Sequence, residues 1–296
     1  MRVGSVAVVG RPNVGKSTLV NRLVGEKIAI VSDKPQTTRK RILGIARRPG
    51  FEMALIDTPG IHRPEYRLNA AMVREASDAL SGADVVLWIV DASEKRGPGE
   101  AFILGLLERA GRPTVLALNK IDRIAKPGLL PILQEFASRY AFLDIVPISA
   151  LTGDGVDRLA DRLAANLPEG EPAYPPDFLT ATPESEWIGE VIREKLLERT
   201  RDELPFASAV VVEGVREDAD KPLTVVTASI VVEREGQKGI VVGRGGAMIK
   251  QIGMAAREEL EAETGRRFFL ELNVRVREHW RDDERFLARL AAGSED

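Results

Sequence analysis

Short apolar runs alternate with amphipathic stretches over residues 1–170 of the chain. The apolar runs are bounded by turn or polar residues and lie at 5–10, 53–57, 84–90, 113–118 and 143–149. Runs of this length and composition are typical of strands that are buried on both faces of a parallel sheet. Helical patterns lie between them at 16–24, 65–80, 99–109 and 129–140. The alternation predicts an α/β domain with a mostly parallel sheet.

A proline-rich segment ends this alternation, since the stretch 167–184 holds five prolines and has neither a helical nor a strand period. The pattern beyond it is a helix, two strands, two helices around a glycine-rich turn, a strand and a terminal helix, at 186–199, 207–215, 223–234, 239–264, 267–277 and 281–291. Two adjacent strands followed by helices favour an α+β unit. We therefore predict an α/β domain over 1–170, a linker over 171–184 and a smaller α+β domain over 185–296.

The composition of the 296-residue chain, 44% hydrophobic and 29% charged, is ordinary for a globular protein. The chain has no cysteine and two histidines, which excludes disulfides, thiolate zinc sites and cysteine nucleophiles and disfavours a histidine-built metal site. No apolar run approaches the ~20 residues that a membrane span needs, and the N-terminus lacks the apolar core of a signal peptide. The sequence predicts a soluble cytoplasmic protein.

The strongest chemical signal is GRPNVGKS at 10–17, which follows the apolar run 5–10 and opens a helical pattern. This is the phosphate-binding P-loop pattern, in which glycines let the backbone wrap the phosphates and N–H groups supply positive potential. In this chemistry Lys16 bridges the β- and γ-phosphates and the Ser17 hydroxyl ligates Mg²⁺. The nucleotide-binding residues predicted here are Gly10, Arg11, Pro12, Asn13, Val14, Gly15, Lys16, Ser17 and Thr18.

Three further motifs, each at the end of an apolar run, select the nucleotide. DTPG at 57–60 places Asp57 where it can hold Mg²⁺ through water, and the Gly60 N–H where it can meet the γ-phosphate. NKID at 119–122 provides a carboxylate at Asp122 that can accept hydrogen bonds from guanine N1–H and the 2-amino group, which adenine cannot offer. SAL at 149–151 places the Ala150 N–H where guanine O6 needs a donor. These motifs add to the nucleotide site Asp57, Thr58, Pro59, Gly60, Asn119, Lys120, Asp122, Ser149 and Ala150, with Asn119 tying the base pocket to the P-loop and the Lys120 stem covering the base.

The set GRPNVGKS, QTTR, DTPG, NKID and SAL resembles the translation-factor-related GTPases. The resemblance implies that QTT at 36–38 is the first switch and that Thr38 contacts Mg²⁺ and the γ-phosphate, with Thr37 as the competing choice. The implied metal ligands are therefore Ser17, Thr38 and Asp57, and the implied catalytic residues are Lys16, Thr38, Gly60 and Asn13.

Two positions depart from the pattern of Ras-like GTPases. Ile61 follows DTPG where those proteins carry the glutamine that orients water, and an aliphatic side chain cannot do this. His62 is a candidate substitute, although a polar surface residue is the more ordinary interpretation. Asn13 resembles an asparagine that helps to hold a K⁺ ion in some GTPases, and a residue that only structures the loop is the alternative.

The segment 236–260 carries a second signal, the pattern G-x-x-G at 243–246 between apolar helical segments. K homology (KH) domains use such a loop to clamp about four single-stranded nucleotides. Residues 171–296 carry 18 Lys and Arg against 26 Asp and Glu, which argues against nucleic acid, but no acid lies between Gly236 and Arg257. The residues assigned to RNA are Lys238, Gly243, Arg244, Gly245, Gly246, Lys250, Arg275 and Arg277; cations that merely solubilise the surface are the alternative. Trp280 is expected to pack locally rather than to stack on a base.

The order helix–strand–strand–helix–helix–strand resembles a type II KH domain, and the whole chain resembles the Era family of bacterial GTPases. That resemblance implies binding of GTP and GDP, Mg²⁺, the 3′ end of small-subunit ribosomal RNA and the assembling small ribosomal subunit. It also implies a monomer without a DNA partner and a peripheral membrane association at the inner face of the membrane. An RNA-binding GTPase acting on another RNA such as tRNA, a P-loop phosphotransferase and an RNA-binding module with a purely structural nucleotide pocket are the alternatives.

Overall fold

The computed structural model describes residues 1–34, 37–61, 67–200 and 204–292. The chain divides into two compact units, and the first extends to Ala181. Its six strands form one sheet in the order β2-β3-β1-β4-β5-β6: β1 (Arg2–Gly10), β2 (Ile42–Arg48), β3 (Phe51–Asp57), β4 (Val85–Asp91), β5 (Thr114–Asn119) and β6 (Asp144–Pro147). Its helices are α1 (Lys16–Val24), α2 (Arg67–Gly82), α3 (Pro98–Ala110), α4 (Leu129–Arg139) and α5 (Val156–Ala165). All strand pairs are parallel except β2 with β3, which confirms the α/β class and the mostly parallel sheet.

Strand β4 shows why its apolar run is continuous. Val85, Leu87 and Ile89 belong to a core that contains residues of α1 and α5, and the alternate residues of β4 belong to a second core with residues of α3 and α4. Because successive side chains of a strand point to opposite faces, a strand covered on both faces must be apolar at every position. The parallel strands run in the same direction, so their carboxyl ends lie along one side of the sheet. The polar residues that follow these strands come together there.

Strand β2 is an element that the sequence analysis did not predict. It lies at the edge of the sheet, and the segment that follows α5 runs along it: the Ile45 N–H donates to the Leu179 carbonyl at 2.8 Å. The Arg47 guanidinium donates to the carbonyls of Pro175, Pro176 and Phe178 at 2.7–3.1 Å. These bonds cover a sheet edge that would otherwise present unpaired backbone groups.

The second unit, from Thr182 onward, contains a three-stranded sheet in the order β7-β8-β9. Its elements are α6 (Glu184–Arg199), α7 (Leu204–Ala207), β7 (Ser208–Glu217), β8 (Thr224–Val232), α8 (Glu235–Val242), α9 (Ala247–Thr264), β9 (Phe268–Val276) and α10 (Glu284–Ala292). Strands β7 and β8 are antiparallel and β8 and β9 are parallel, with α8 and α9 in the connection. Apolar residues of α6, α8 and α9 pack with one face of the sheet, as expected for the predicted α+β unit. No helix in the described part of the chain is long and apolar enough to cross a membrane.

Candidate functional site

The P-loop connects β1 to α1 and approaches the β5 end of the sheet closely. Gly15 has φ +98°, and a Cβ at this position would lie 2.3 Å from Asn119 Nδ2, so a side chain is excluded both by backbone conformation and by space. Helix α1 begins at Lys16 without a side-chain cap. Its first N–H groups are therefore left for an anion, which is the arrangement of a phosphate site.

Lys16 is buried in the P-loop, and its Nζ donates to the carbonyls of Gly10 at 3.3 Å and Arg11 at 3.0 Å. Burial lowers the pKa of Lys16 to about 8, although the carboxylate of Asp57 acts in the opposite direction. A buried ammonium whose pKa is depressed by desolvation gains from the arrival of an anion. Lys16 is thus placed and charged as a phosphate ligand requires.

Ser17, Thr38 and Asp57 form a compact cluster of oxygen atoms. The Ser17 hydroxyl donates to Asp57 Oδ2 at 2.7 Å, and the Thr38 hydroxyl lies 2.9 Å from Ser17 Oγ and 3.4 Å from Asp57 Oδ2. Of the two neighbouring threonines, Thr38 is the one whose hydroxyl joins this cluster.

Asp57 is fully buried, and its Oδ1 has no hydrogen-bond partner among the described residues. Burial raises the pKa of Asp57 to about 6, against the opposing effects of Lys16, Ser17 and Thr38. Hydroxyl and carboxylate oxygens are the ligands that Mg²⁺ prefers, and an orphaned buried carboxylate oxygen is a free ligand position. The donor set therefore fits Mg²⁺.

The DTPG segment is bonded to the P-loop through its backbone: the Ile61 N–H donates to the Gly10 carbonyl at 3.0 Å. The Ile61 side chain is buried in the apolar core that also contains Trp88. The residue at the position of the water-orienting glutamine is therefore packed among apolar side chains and offers no polar group to a water molecule. His62, the predicted alternative, lies outside the described residues.

Asn119 links the P-loop to the loop after β6. Its Nδ2 donates to the Val14 carbonyl at 2.7 Å, and its Oδ1 accepts the Ala150 N–H at 2.8 Å. The Ser149 hydroxyl donates to Asp122 Oδ1 at 2.6 Å, which orients this exposed carboxylate. The structure thus brings the predicted base-reading residues together, but the Ala150 N–H, which the sequence analysis assigned to guanine O6, donates to Asn119 Oδ1.

Two cations next to the P-loop are paired with acids that sequence reasoning missed. Lys120 Nζ contacts the Asn13 carbonyl at 2.6 Å and Asp91 Oδ2 at 2.7 Å. The Arg11 guanidinium contacts Glu100 Oε1 at 2.8 Å, so its side chain is directed to α3. The prediction of Arg11 as a nucleotide ligand therefore has support only for its backbone. Asp91 ends an apolar strand and could have been found by the reasoning that identified Asp57, whereas Glu100 carries no such signal.

In the second unit the glycine-rich loop joins α8 to α9. Gly243 has φ +73°, and a Cβ there would lie 2.7 Å from the Met248 nitrogen, so the turn requires glycine. Arg244 and Lys250 are exposed and Lys238 is half-buried. Within the described chain none of these three cations is ion-paired, which leaves them available for phosphates.

A groove of about 260 Å³ lies between α9 and β9, next to this loop in sequence. Its lining combines apolar side chains with two cations, namely Ile249, Lys250, Gly253, Met254, Arg257, Phe269, Leu270 and Leu272. Met254 and Phe269 are 46% and 51% exposed, unusually high for large apolar residues, and therefore offer flat apolar contact area to a base. Sequence reasoning found Lys250 alone of these as a site residue, because the groove is assembled from two separate elements.

Arg275 and Arg277 do not line this groove, and their assignment to RNA stays a prediction. Arg275 pairs with Glu213 of β7 at 2.8 Å. Arg277 forms an ion pair with Asp283 and lies over the Phe286 ring.

Trp280 is buried and donates from Nε1 to the Ala207 carbonyl at 3.1 Å, so it packs locally, as expected.

Comparisons with known proteins agree with both domain types. Residues 5–120 match the family of 50S ribosome-binding GTPases, and residues 205–281 match the KH domain. GTPase Era from Geobacter metallireducens is 50% identical over 289 residues, covering 98% of this chain and 97% of its own. GTPase Era from Geotalea uraniireducens is also 50% identical, covering 97% of this chain and 96% of its own.

Two solved structures match this chain over 100% of its length and over 100% of their own, each at 38% sequence identity. One is Era in complex with MgGDPNP and nucleotides 1506–1542 of 16S ribosomal RNA, with a TM-score of 0.96. The other is an Aquifex aeolicus Era variant bound to GDP and tetrafluoroaluminate, with a TM-score of 0.95. Fold and site together define a P-loop GTPase joined to a type II KH domain. The chain belongs to the Era GTPase family.

Proposed function

We propose that this protein is a GTP-hydrolysing switch that binds the 3′ end of small-subunit ribosomal RNA and acts in small ribosomal subunit maturation. The observation that carries the proposal is the whole-chain likeness to an Era bound both to MgGDPNP and to nucleotides 1506–1542 of 16S ribosomal RNA. The oxygen cluster at Asp57 and the apolar groove beside the GRGG loop support the proposal, because their chemistry suits a magnesium-bound nucleotide and RNA bases respectively.

At the phosphate end, Lys16 and the N–H groups of the P-loop would bind the β- and γ-phosphates, while Ser17, Thr38 and Asp57 would hold Mg²⁺. The metal supplies charge neutralisation at the phosphates when it is bound. Because Thr38 lies on the segment before β2, the loss of the γ-phosphate removes a ligand interaction from this segment. This is the local event that a nucleotide switch requires.

At the base end, Asp122 would accept from the guanine N1–H and 2-amino groups, with Ser149 fixing its orientation. Adenine would leave this carboxylate unpaired, and an unpaired polar group makes discrimination steep. In the second unit, Arg244 and Lys250 would contact phosphates while bases lie on Met254 and Phe269.

The proposal is tested by crosslinking the protein to RNA in cell extract with GTP or with GDP bound and sequencing the RNA. Reads concentrated at the 3′ end of small-subunit ribosomal RNA are expected, and their yield should depend on the nucleotide. Phe269→Ala should lower the yield, whereas Leu130→Ala, at a similarly exposed leucine on α4, should not. Reads concentrated on tRNA would overturn the assignment in favour of another RNA.

The same proposal includes K⁺ as a cofactor of hydrolysis, held in part by the Asn13 side chain. A cation would stabilise the negative charge that develops between the β- and γ-phosphates during hydrolysis. The buried Ile61 has neither a charge nor a hydrogen-bond donor to offer there. Asn13 has φ +62°, a conformation that asparagine tolerates better than most residues, so a purely structural role would also explain it.

Hydrolysis measured in K⁺ and in Na⁺ at equal ionic strength separates these roles. We expect faster turnover in K⁺ for the wild type and equal turnover for Asn13→Gly, which removes the side chain but accepts the positive φ. Equal rates for the wild type would leave Asn13 as a loop residue. A monomeric state, the peripheral membrane association and the domain bounds 1–170, 171–184 and 185–296 stay predictions from the sequence.

A further inference from the structure

Arg22 lies on the second turn of α1, and its side chain reaches the loop that carries Ala150. Its Nε donates to the Ala150 carbonyl at 2.7 Å, and a terminal nitrogen donates to the Leu151 carbonyl at 2.5 Å. Two parallel N–H donors of one planar group thus hold two successive carbonyls. A guanidinium can do this because its donors are fixed in a fork, whereas a lysine offers a single point of attachment.

The loop at 149–153 has little apolar packing to fix it on the outside, since Leu151 is 67% exposed. It is held by hydrogen bonds, including those from the Thr152 N–H to Ser149 Oγ at 3.1 Å and from the Gly153 N–H to the Ser149 carbonyl at 2.8 Å. Gly153 lies against the guanidinium, since a Cβ at this residue would be 2.9 Å from an Arg22 nitrogen. The hydrogen bonds of Arg22 join this loop to the helix that begins at the phosphate site, and the buried Ala150 also packs in the core that contains Leu19 and Leu23 of that helix.

We infer that Arg22 is a positioning residue for guanine recognition, which acts by orienting the Ala150 peptide groups toward the 6-position of the base. The Ala150 N–H donates to Asn119 Oδ1 at 2.8 Å, so a guanine O6 would have to share or take over this donor. The Ala150 carbonyl that Arg22 holds flanks the same Cα, so fixing it restricts how the N–H can turn between the two acceptors. The inference rests on the proposed guanine site. It adds a residue of α1, outside every nucleotide motif, to the determinants of base specificity.

The test compares equilibrium binding of GTP, 6-thio-GTP and inosine triphosphate to the full-length wild type and to Arg22→Ala. Alanine preserves the helix, since it has the highest helix propensity. In 6-thio-GTP a sulfur replaces O6 and accepts hydrogen bonds weakly, and inosine triphosphate lacks only the 2-amino group that Asp122 would read. Each nucleotide therefore reports on a different part of the pocket.

For Arg22→Ala we expect GTP affinity to fall by about tenfold and the preference for GTP over 6-thio-GTP to shrink toward one. The ratio of GTP to inosine triphosphate affinity should stay as in the wild type, because Asp122 and Ser149 are untouched. Arg22→Lys should recover part of the 6-position preference. Arg158→Ala, which removes a guanidinium bond to the Pro147 carbonyl at 3.1 Å, should change neither ratio.

An unchanged preference for GTP over 6-thio-GTP in Arg22→Ala would overturn the inference. So would an equal collapse of both ratios, because that result indicates general loss of the pocket. Failure of the proposed function looks different: in a parallel titration with ATP, the wild type itself would then not distinguish GTP from ATP.

Discussion

Lys16 and Asp57 are buried ionisable residues that face each other at the phosphate end of the site. Burial lowers the pKa of Lys16 to about 8 and raises that of Asp57 to about 6, so each charged form is disfavoured in the folded protein without ligand. A bound phosphate would raise the pKa of Lys16, and bound Mg²⁺ would lower the pKa of Asp57. The two residues proposed to bind the ligand are thus ones whose burial weakens the ligand-free fold.

Replacement of Asp57 by asparagine tests this relation between binding and stability. The pKa of Asp57 rises from an ordinary value of ~3.9 to about 6 on folding, so stability is full below pH ~4 and declines as the pH rises to 6. At pH 7.5 the ionised carboxylate should lower the free energy of unfolding by ~1–3 kcal/mol.

Nucleotide-free Asp57→Asn should therefore melt at a higher temperature than the wild type at pH 7.5 in a chelator, and lose that advantage near pH 4.5. Its nucleotide affinity should no longer respond to Mg²⁺. A variant that melts below the wild type at pH 7.5 would contradict the argument.

Asp122 is a second residue whose role can be isolated. Asp122→Asn should weaken GTP by ~3 kcal/mol or more, because a charge-assisted pair of hydrogen bonds is lost, and should favour xanthosine triphosphate, whose 2-oxo group accepts from the new amide. Competition against a fluorescent nucleotide measures both affinities. Asp161→Asn, at an exposed carboxylate of α5, is the matched control and should behave as the wild type. Unchanged GTP affinity in Asp122→Asn would refute the base assignment.

Among the elements, α3 has an unexpected connection to the P-loop. Glu100 is buried at the start of this helix, where it accepts the Gly97 N–H at 2.8 Å and the Arg11 guanidinium at 2.8 Å. Burial acts against ionisation, but these hydrogen bonds outweigh it and lower the pKa of Glu100. The Arg11 carbonyl in turn accepts from Lys16, so α3 helps to hold the backbone that places this lysine, the proposed phosphate ligand.

Glu100→Gln should therefore weaken GTP binding by about three- to tenfold and lower the melting temperature by a few degrees at pH 7. The difference in stability should shrink as the pH falls below ~4.3 and vanish once the pH is below the folded-state pKa, because a lowered carboxylate pKa stabilises the fold fully only above its unfolded value. Glu108→Gln, at an exposed position of the same helix, is the control. Equal nucleotide affinity in the two variants would show that α3 does not help to hold the P-loop for nucleotide binding.

Over the whole molecule, sequence reasoning succeeded where chemistry is contiguous in the chain. The P-loop, DTPG, NKID and SAL each carry their function in a few adjacent residues, and parallel-sheet topology brings them together. The Met254–Phe269 groove and the contacts of Arg22 join elements that are distant in sequence, so no local pattern marks them. Strand β2 was missed because an edge strand needs no continuous apolar run.

The charge of the second unit shows the same limit. The net negative charge of this unit argues against RNA binding, but its acidic and basic side chains lie at different places on the unit. Lys195 on α6 contacts Glu194, Glu198 and Glu259, and these hydrogen bonds raise its pKa well above the ordinary range despite partial burial. Acidic side chains of α6 and α9 are thus ion-paired with Lys195, whereas the cations Arg244 and Lys250 at the glycine-rich loop are exposed. A phosphate backbone responds to that local surface rather than to the net charge.

The two units have separate cores, so their ligands should be separable by mutation. The double variant Arg244→Glu with Gly245→Asp places acids at exposed positions of the loop, and aspartate tolerates the φ of +59° at residue 245 better than most side chains. Like-charge repulsion with phosphates should abolish binding of single-stranded RNA, while GTP affinity stays that of the wild type. Arg216→Glu, on the opposite edge strand β7, is the control for the change of charge and should retain RNA binding. Fluorescence anisotropy with a labelled RNA, repeated over a salt series, measures the effect. RNA affinity that responds neither to the double variant nor to salt would show that the basic loop does not bind the backbone.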